Sequence, residues 1–350
     1  MSDRTRHSRW FWIGLALLAV AALVLPFLVK NYRVFQFNLV LVYAVAILGL
    51  NILTGYNGQI SLGHGAFYAI GAYAAAILMD RLGVPYWATL PLAGALCFSV
   101  GFLMGFPALR LAGHYLAVAT LALALAIPQL LKYKLLEAYT GGVQGIVLVK
   151  PDPPFTFRFL GQPFNADRWL YFYTLVVAIV MFVLAWNLLR GRVGRALIAI
   201  RDHPVAAAAM GVNLAMFKSL TFGVSAAFTG VAGALGATVI AFVSPDSFTV
   251  TLSIFLLVGV VVGGLASIPG ALFGAIFIQF VPNIADELSK SAPAAIYGVL
   301  LIVLMALMPT GVMGLLHRLW SRRVVHAGPV PPATAVPAVV PVPTALTKEN

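Results

Sequence analysis

None of the stretches 34–79, 82–109, 111–131, 169–189, 219–245, 247–285 and 291–317 contains an Asp, Glu, Lys or Arg. A water-soluble core has no use for charge-free runs of that length. The hydrocarbon layer of a bilayer demands them, at about 20 apolar residues per spanning helix. Dividing the runs at Gly, Pro and polar clusters gives spans near 10–29, 35–53, 62–80, 86–109, 112–131, 169–189, 216–242, 247–267, 269–285 and 294–310. The expected fold is therefore all-α, a polytopic membrane protein with about ten transmembrane helices. With 61% of its 350 residues hydrophobic and only 9% charged, the chain leaves little material for a soluble domain.

Charge sets the expected topology. Arg4, Arg6 and Arg9 precede the first span as they would in a signal peptide, but no A-x-A-like cleavage site occurs before Lys30, so the span is read as a retained helix. Arg190, Arg192, Arg195 and Arg201 are clustered, and Arg318, Arg322 and Arg323 follow the last span. Together with the N-terminal arginines they mark the cytoplasmic side. The basic residues of 132–168 are sparser and offset by Glu137, Asp152 and Asp167, which places that loop outside. The expected organisation is a cytoplasmic N-terminus 1–9, a membrane domain 10–316 with an external insertion 132–168 and a cytoplasmic segment 190–213, and a cytoplasmic Pro-rich disordered tail 317–350. Prolines from Pro329 to Pro343 give the tail its character. A net charge of +12 does not imply nucleic acid, because the bases are dispersed over connections without interleaved aromatics.

The chain carries no recognisable catalytic constellation. H-E-x-x-H, G-x-S-x-G and G-x-x-x-x-G-K-[ST] are all missing, so neither metal hydrolysis, acyl transfer nor ATP hydrolysis is expected of it. Cys97 is the single cysteine, which excludes an intramolecular disulfide and a cysteine metal cluster. The ten acidic residues, Asp80, Asp246, Asp286 and Glu287 among them, fall at span ends or in connections. Ion-coupled carriers usually bury a carboxylate in the membrane, so an external energy source is the simpler expectation. Sodium sites built from backbone carbonyls would leave no such trace, which keeps a secondary carrier open.

Two segments stand out between the spans. Leu53 to Gly65 combines Gly55, Gly58, Gly63 and Gly65 with hydrogen-bonding side chains. Irregular backbone at membrane depth is tolerated only where protein shields it or a cavity is lined by it. Asn57, Gln59, Ser61 and His64 are thus either candidates for lining a translocation path or polar groups that cap helix ends in a cytoplasmic turn. Gly65, Ala69, Gly71 and Ala75, and the pairs Gly101/Gly105, Gly259/Gly263 and Gly270/Gly274, have the spacing of close helix contacts. The second segment is 194–213, too apolar for an ordinary loop. Asp202 or His203 can cap, Pro204 suits a first helical position, an alanine run follows, and Gly211 suits a left-handed stop, which predicts a helix over 204–210. A helix so short is unstable alone in water, and its smooth alanine surface calls for a partner's groove.

At these two segments, GYNGQISLGHGAFYAIGAY and RALIAIRDHPVAAAAMGVN, the sequence resembles the permeases of branched-chain amino acid ABC transporters of the Liv M-subunit type. The likeness runs from about 35 through 315. It implies an ABC importer permease in which 195–213 is similar to the E-A-A-x(3)-G coupling loop that rests on a cytoplasmic ATPase. Ala206, Ala207 and Gly211 match that pattern, and Arg195, Arg201, Asp202 and Pro204 belong to the same coupling segment. The chain departs from it at Val205, which stands where the pattern has glutamate. The resemblance further implies cytoplasmic ABC ATPase subunits that bind the ATP, a second homologous permease subunit, a periplasmic solute-binding protein, an amino-acid substrate and a place in the bacterial inner membrane. No cofactor or metal of the chain's own is implied. The competing expectation is a stand-alone channel or secondary carrier for a small polar solute such as urea or an amide.

Overall fold

A computed structural model of the chain describes residues 20, 22–110, 114–155, 158–159, 162–288, 290 and 292–324. The expected N-terminus 1–9, residues 10–19 of the first span and the Pro-rich stretch 327–346 lie outside the described residues.

Every expected span from 35–53 onward coincides with an α-helix. These are α1 (Asn31–Asn51), α2 (His64–Leu82), α3 (Tyr86–Arg110), α4 (His114–Leu131), α6 (Ala166–Arg190), α9 (Leu214–Ile240), α10 (Val250–Gly263), α11 (Gly270–Leu288) and α12 (Pro293–Leu307). Between them lie α5 (Glu137–Thr140), α7 (Arg192–Asp202) and α8 (Pro204–Ala209), and α13 (Gly311–Val324) follows. Two small antiparallel ladders complete the fold: β1 (Ile146–Val147) with β4 (Phe242–Val243), and β2 (Arg158–Phe159) with β3 (Gln162–Pro163). Among the described residues, six stretches are long and apolar enough to cross a membrane on their own: Asn31–Tyr56, Tyr86–Phe106, Ala166–Arg190, Leu214–Ile240, Pro245–Gly263 and Ala295–Arg318. Helix α2 falls outside that set. It is built largely of Ala, Gly and Tyr, and is buried over His64–Ala69, so it is lined by protein rather than lipid.

Two sequence expectations change. Residues 317–324, read as the start of a disordered tail, belong to α13. The helix breakers of that segment begin only at Gly328 and Pro329, and nothing before them prevents a helix. Within the segment 190–203, read as connection before a single short helix, residues Arg192–Asp202 form α7. It is amphipathic, burying Gly194, Leu197 and Ile200 at helical spacing, a pattern that a survey for long apolar runs passes over.

The bundle is organised around α9, which packs against α3, α2 and α1 and is buried almost throughout from Ser219 to Val239. Small residues set that arrangement. A Cβ on Gly71 would sit 2.1 Å from the Gly230 carbonyl oxygen, and one on Gly233 would sit 2.0 Å from that of Tyr68. The glycine pairs 259/263 and 270/274 prove to face each other across α10 and α11. Without a hydrophobic driving force between helices in lipid, such close backbone approach supplies the dispersion that holds them together.

Polar contacts gather at the two ends of the bundle. At one end, Asp167 accepts from Asn31 and Lys150, Arg81 donates to the Ala138 carbonyl, Trp169 Nε1 donates to Tyr86 Oη at 3.2 Å, and Lys132 pairs with Asp246. There Arg168, 1% exposed, donates to the carbonyls of Pro26 and Pro163. The opposite end holds the turn after α1, α7 and α8, and the α10–α11 turn.

The surroundings of two helical glycines give opposite signs for their substitution. Gly230→Leu places side-chain atoms where Cys97 Sγ lies 2.4 Å from the position of a Cβ, and overpacking of this kind costs roughly 1–3 kcal/mol or more. Gly298→Ala on α12 meets nothing within 4 Å and gains about 0.5–1 kcal/mol of helix propensity. Thermal unfolding in mild detergent, followed by size-exclusion recovery, is expected to fall for the first variant and hold or rise for the second.

Candidate functional site

Helix α6 ends at Arg190, whose guanidinium lies 4.1 Å from the Trp186 ring centroid. The extended Gly191 then reverses the chain into α7. Gly194 permits the return, since a Cβ there would stand 1.8 Å from the Leu189 carbonyl oxygen. Arg192 and Arg195 are exposed on the face of α7 opposite its buried residues. The helix stops at His203, and Pro204 opens α8 at its first position, as the sequence predicts. No side chain caps α8: the Asp202 carboxylate instead accepts from Arg201 Nε at 2.9 Å. Gly211, at φ +87, provides the left-handed stop, and Val212 N–H closes it on the Ala207 carbonyl. Asn213 then caps α9, its Oδ1 accepting from Met216 N–H at 3.0 Å.

The alanine pair divides between two surfaces. Ala207 is buried against the bundle whereas Ala206 is exposed. Val205 and Met210, 83% and 85% exposed, flank Ala206 and Ala208 and make the outward face of α8 apolar. A face with two large apolar side chains held in the open at the end of a helix of fewer than two turns is shaped for contact with another surface.

The second segment lies inward of the first. Helix α1 runs directly into a π-helical turn, Ile52–Tyr56, followed by irregular chain that includes Gly58 at φ +73 and leads to α2. Of the polar residues singled out there, Ser61 and His64 are fully buried, and Asn57 and Gln59 nearly so. Asn57 Nδ2 donates to Gln59 Oε1 at 3.1 Å, and Thr54 donates to the Gln59 carbonyl. His64 joins a directed chain. Ser225 Oγ–H donates to the Gly49 carbonyl at 2.6 Å, so it accepts from His64 Nε2–H, also at 2.6 Å. His64 Nδ1 then accepts from Ser61 Oγ–H at 3.0 Å. The hydrogen-bond inventory therefore assigns the neutral Nε2–H tautomer.

Four partners in this network lie outside the residues singled out from sequence. Thr120 of α4 accepts from Leu62 N–H at 2.9 Å, and Ser253 of α10 accepts from Gly65 N–H at 2.9 Å. They satisfy backbone donors around the start of α2 that no local cap serves. Ser225 of α9 completes the histidine chain. Asn51 spans the gap to the α10–α11 turn, accepting from Ala266 N–H at 3.0 Å and donating to the Ser267 carbonyl at 2.8 Å. A lone hydroxyl or amide inside a charge-free span was the only available signal. The structure thus brings Asn57, Gln59, Ser61 and His64 into one enclosed joint. It sets Arg201 and Asp202 beside that joint, while Arg195, Ala206 and Gly211 face away from it. Among the described residues no group of His, Cys, Asp and Glu is arranged to hold a metal ion.

Residues 32–308 match the family model described as branched-chain amino acid transport system / permease component. The chain is 35% identical over 328 residues to the high-affinity branched-chain amino acid transport system permease protein LivM of Escherichia coli, covering 88% of this chain and 76% of that one. It is 26% identical to BraD of Pseudomonas aeruginosa, over 78% and 91% of the two chains. It is 25% identical to a probable LivH of Methanocaldococcus jannaschii, over 76% and 87%. No solved structure matches. With an all-α bundle whose apolar helices suit a membrane, and a family match across nearly all of its described helices, the chain belongs to the branched-chain amino acid transport system permease-component family.

Proposed function

We propose that this chain is a permease subunit of an ATP-driven ABC importer that moves branched-chain or other small amino acids across the bacterial inner membrane by alternating access. The observation that carries the reading is α8: a helix opened by Pro204, closed by Gly211, and presenting Val205, Ala206 and Met210 outward at the bundle end richest in arginine. In this reading the groove of a cytoplasmic ATPase subunit receives that face. The glutamate of the coupling pattern is replaced by Val205, so contact there is apolar rather than ionic. ATP is bound by the partners and the chain itself carries no cofactor. A second homologous permease completes the pathway, and a periplasmic binding protein delivers the amino acid to the end formed by 132–168 and 241–249.

The proposed topology has about ten spans, with both termini and 190–213 in the cytoplasm. Its support is the density of arginine at Arg190, Arg192, Arg195, Arg201 and Arg318. Alternating access requires two states with different contacts, and ATP shifts their balance only if its binding favours one of them. The enclosed joint Asn57–His64 is proposed to border the amino-acid path, through the one buried side-chain acceptor it leaves without a partner among the described residues, Asn57 Oδ1.

Two sets of measurements check this. Purified from its native host in mild detergent, the tagged chain is expected to bring down an ATPase and a second permease. A Gly211→Pro variant, which cannot adopt the φ of +87, is expected to lose binding-protein-dependent uptake. A chain recovered alone that still moves solute in vesicles would instead establish a channel or carrier. The second measurement concerns His64, whose two ring nitrogens are both occupied in the neutral form. Replacing it with Phe leaves the buried Ser61 hydroxyl without its acceptor, at a cost of about 1–3 kcal/mol, while Ser225 keeps its bond to the Gly49 carbonyl, so His64→Phe is expected to lower thermal stability in detergent and leave the pH profile of the residual uptake unmoved. A displaced pH profile would favour a proton-coupled carrier.

A further inference from the structure

Arg201 belongs to the segment proposed for coupling, and although it is exposed its guanidinium is bonded within the chain. Its Nη1 donates to the Gly55 carbonyl at 2.9 Å, and Asp202 holds its Nε from the other side at 2.9 Å. Its aliphatic stem runs beneath Gly58, where a Cβ would lie 2.8 Å from Arg201 Cγ. Arg201 therefore grips both flanks of Tyr56 and Asn57, at the end of the π-helical turn. A π turn holds more residues than an α turn and marks a place where a helix can be rewound by one register. Hydrogen bonds from a charged donor to a backbone carbonyl are among the stronger ones, so this grip transmits displacement.

The contact continues beyond Gly55. A Cβ on that glycine would meet Asn51 Oδ1 at 2.2 Å and Ala266 N at 2.4 Å, and Asn51 bonds both Ala266 and Ser267. The turn it reaches is held in uncommon backbone, with Gly264 at φ +114 and Ala266 at φ +57. A non-glycine residue in the left-handed region persists only where its surroundings hold it there. The line Arg201, Gly55, Asn51, Ala266 thus joins α7 to the break in α1 and to the α10–α11 turn, by contacts alone. A covalent route also leaves the coupling segment, through Asn213 into α9, but α9 is a continuous helix locked by glycine contacts along its length.

We propose that Arg201 is a positioning residue for transport: it passes movement of the docked α7–α8 segment to the π-helical turn Ile52–Tyr56, and so to the enclosed polar joint that follows. The proposal rests on the reading of α8 as the ATPase-docking element and adds the destination of the movement. Arg201 acts through the Gly55 carbonyl and contacts neither ATP nor the amino acid.

The test uses the complete transporter, co-expressed with its own ATPase, second permease and binding protein and reconstituted in proteoliposomes with radiolabelled leucine. Arg201→Gln is expected to assemble with the ATPase and to hydrolyse ATP, but with hydrolysis no longer raised by leucine-loaded binding protein. Uptake is expected to fall by about tenfold, within the range typical of coupling between sites. Arg201→Lys, which keeps one charged donor, is expected to recover part of the uptake. Because Arg201→Gln can fail to assemble, Asp202→Asn provides a second reading at an exposed carboxylate that anchors the same guanidinium. It is expected to uncouple in the same direction and more weakly. Wild-type coupling in an assembled Arg201→Gln transporter, or in Asp202→Asn when Arg201→Gln cannot be recovered, overturns the proposal and assigns transmission to the α8–α9 connection. A wild-type chain that never retains an ATPase overturns the underlying reading instead, and this proposal with it.

Discussion

Everything in this fold depends on the rule that backbone polar groups inside a membrane bundle must find partners within the protein. Ordinary spans obey it with their own helical bonds. The segment between α1 and α2 cannot, because it leaves the helix at a π turn and re-enters one only at His64. Its solution is to borrow. Thr120, Ser253 and Arg201, from three other places in the bundle, bond the Leu62 N–H, the Gly65 N–H and the Gly55 carbonyl that the local chain leaves open. Such borrowing holds only if the lenders stand very close, and the glycine contacts of α9 with α2 and α3 provide that closeness. The small-residue packing and the broken helix are thus two aspects of a single arrangement: the first makes the second affordable.

The same logic explains why α8 looks as it does. A helix of six residues has too few internal bonds to be stable alone. Pro204 and Gly211 lower the cost by fixing its two ends in backbone conformations that those residues already favour. What remains is supplied from outside the helix: by Ala207 against the bundle on one face, and on the other by whatever meets Val205 and Met210. A rigid element defined at both ends but dependent on outside contact is suited to sense the position of a partner, since movement of the partner cannot be absorbed by bending within so short a piece.

How much of this was legible in the sequence follows from the range of the signal. Pro204 and Gly211 announce the ends of α8 because their effect is local, and the long apolar helices from α1 onward are legible as helices because hydropathy is a sum over neighbours. The role of α7 was not, since three buried positions among arginines do not register as an apolar run. Nor were the partners of the joint. Ser225 and Ser253 lie in apolar helices, where a hydroxyl more often bonds to its own helix four residues back, as Thr229 and Thr238 do here. Only the packing of α9 and α10 against α2 distinguishes the two cases. The capping expectation at Asp202 failed for a related reason: a neighbouring guanidinium competed successfully with the α8 N–H groups for the carboxylate.

Arginine at position 201 was read with its neighbours as part of a positively charged surface, and Arg192, Arg195 and Arg201 are all exposed. For Arg201 the geometry adds a constraint that charge counting lacks. Its guanidinium can reach the Gly55 carbonyl only because position 58 has no side chain and adopts a left-handed backbone, leaving room for the arginine stem. Gly58 is thus tied to Arg201 across 143 positions of sequence, as surely as Gly211 is tied to the end of its own helix. A side chain at either glycine would disturb the α7–α8 segment, one from within and one from the bundle it rests on.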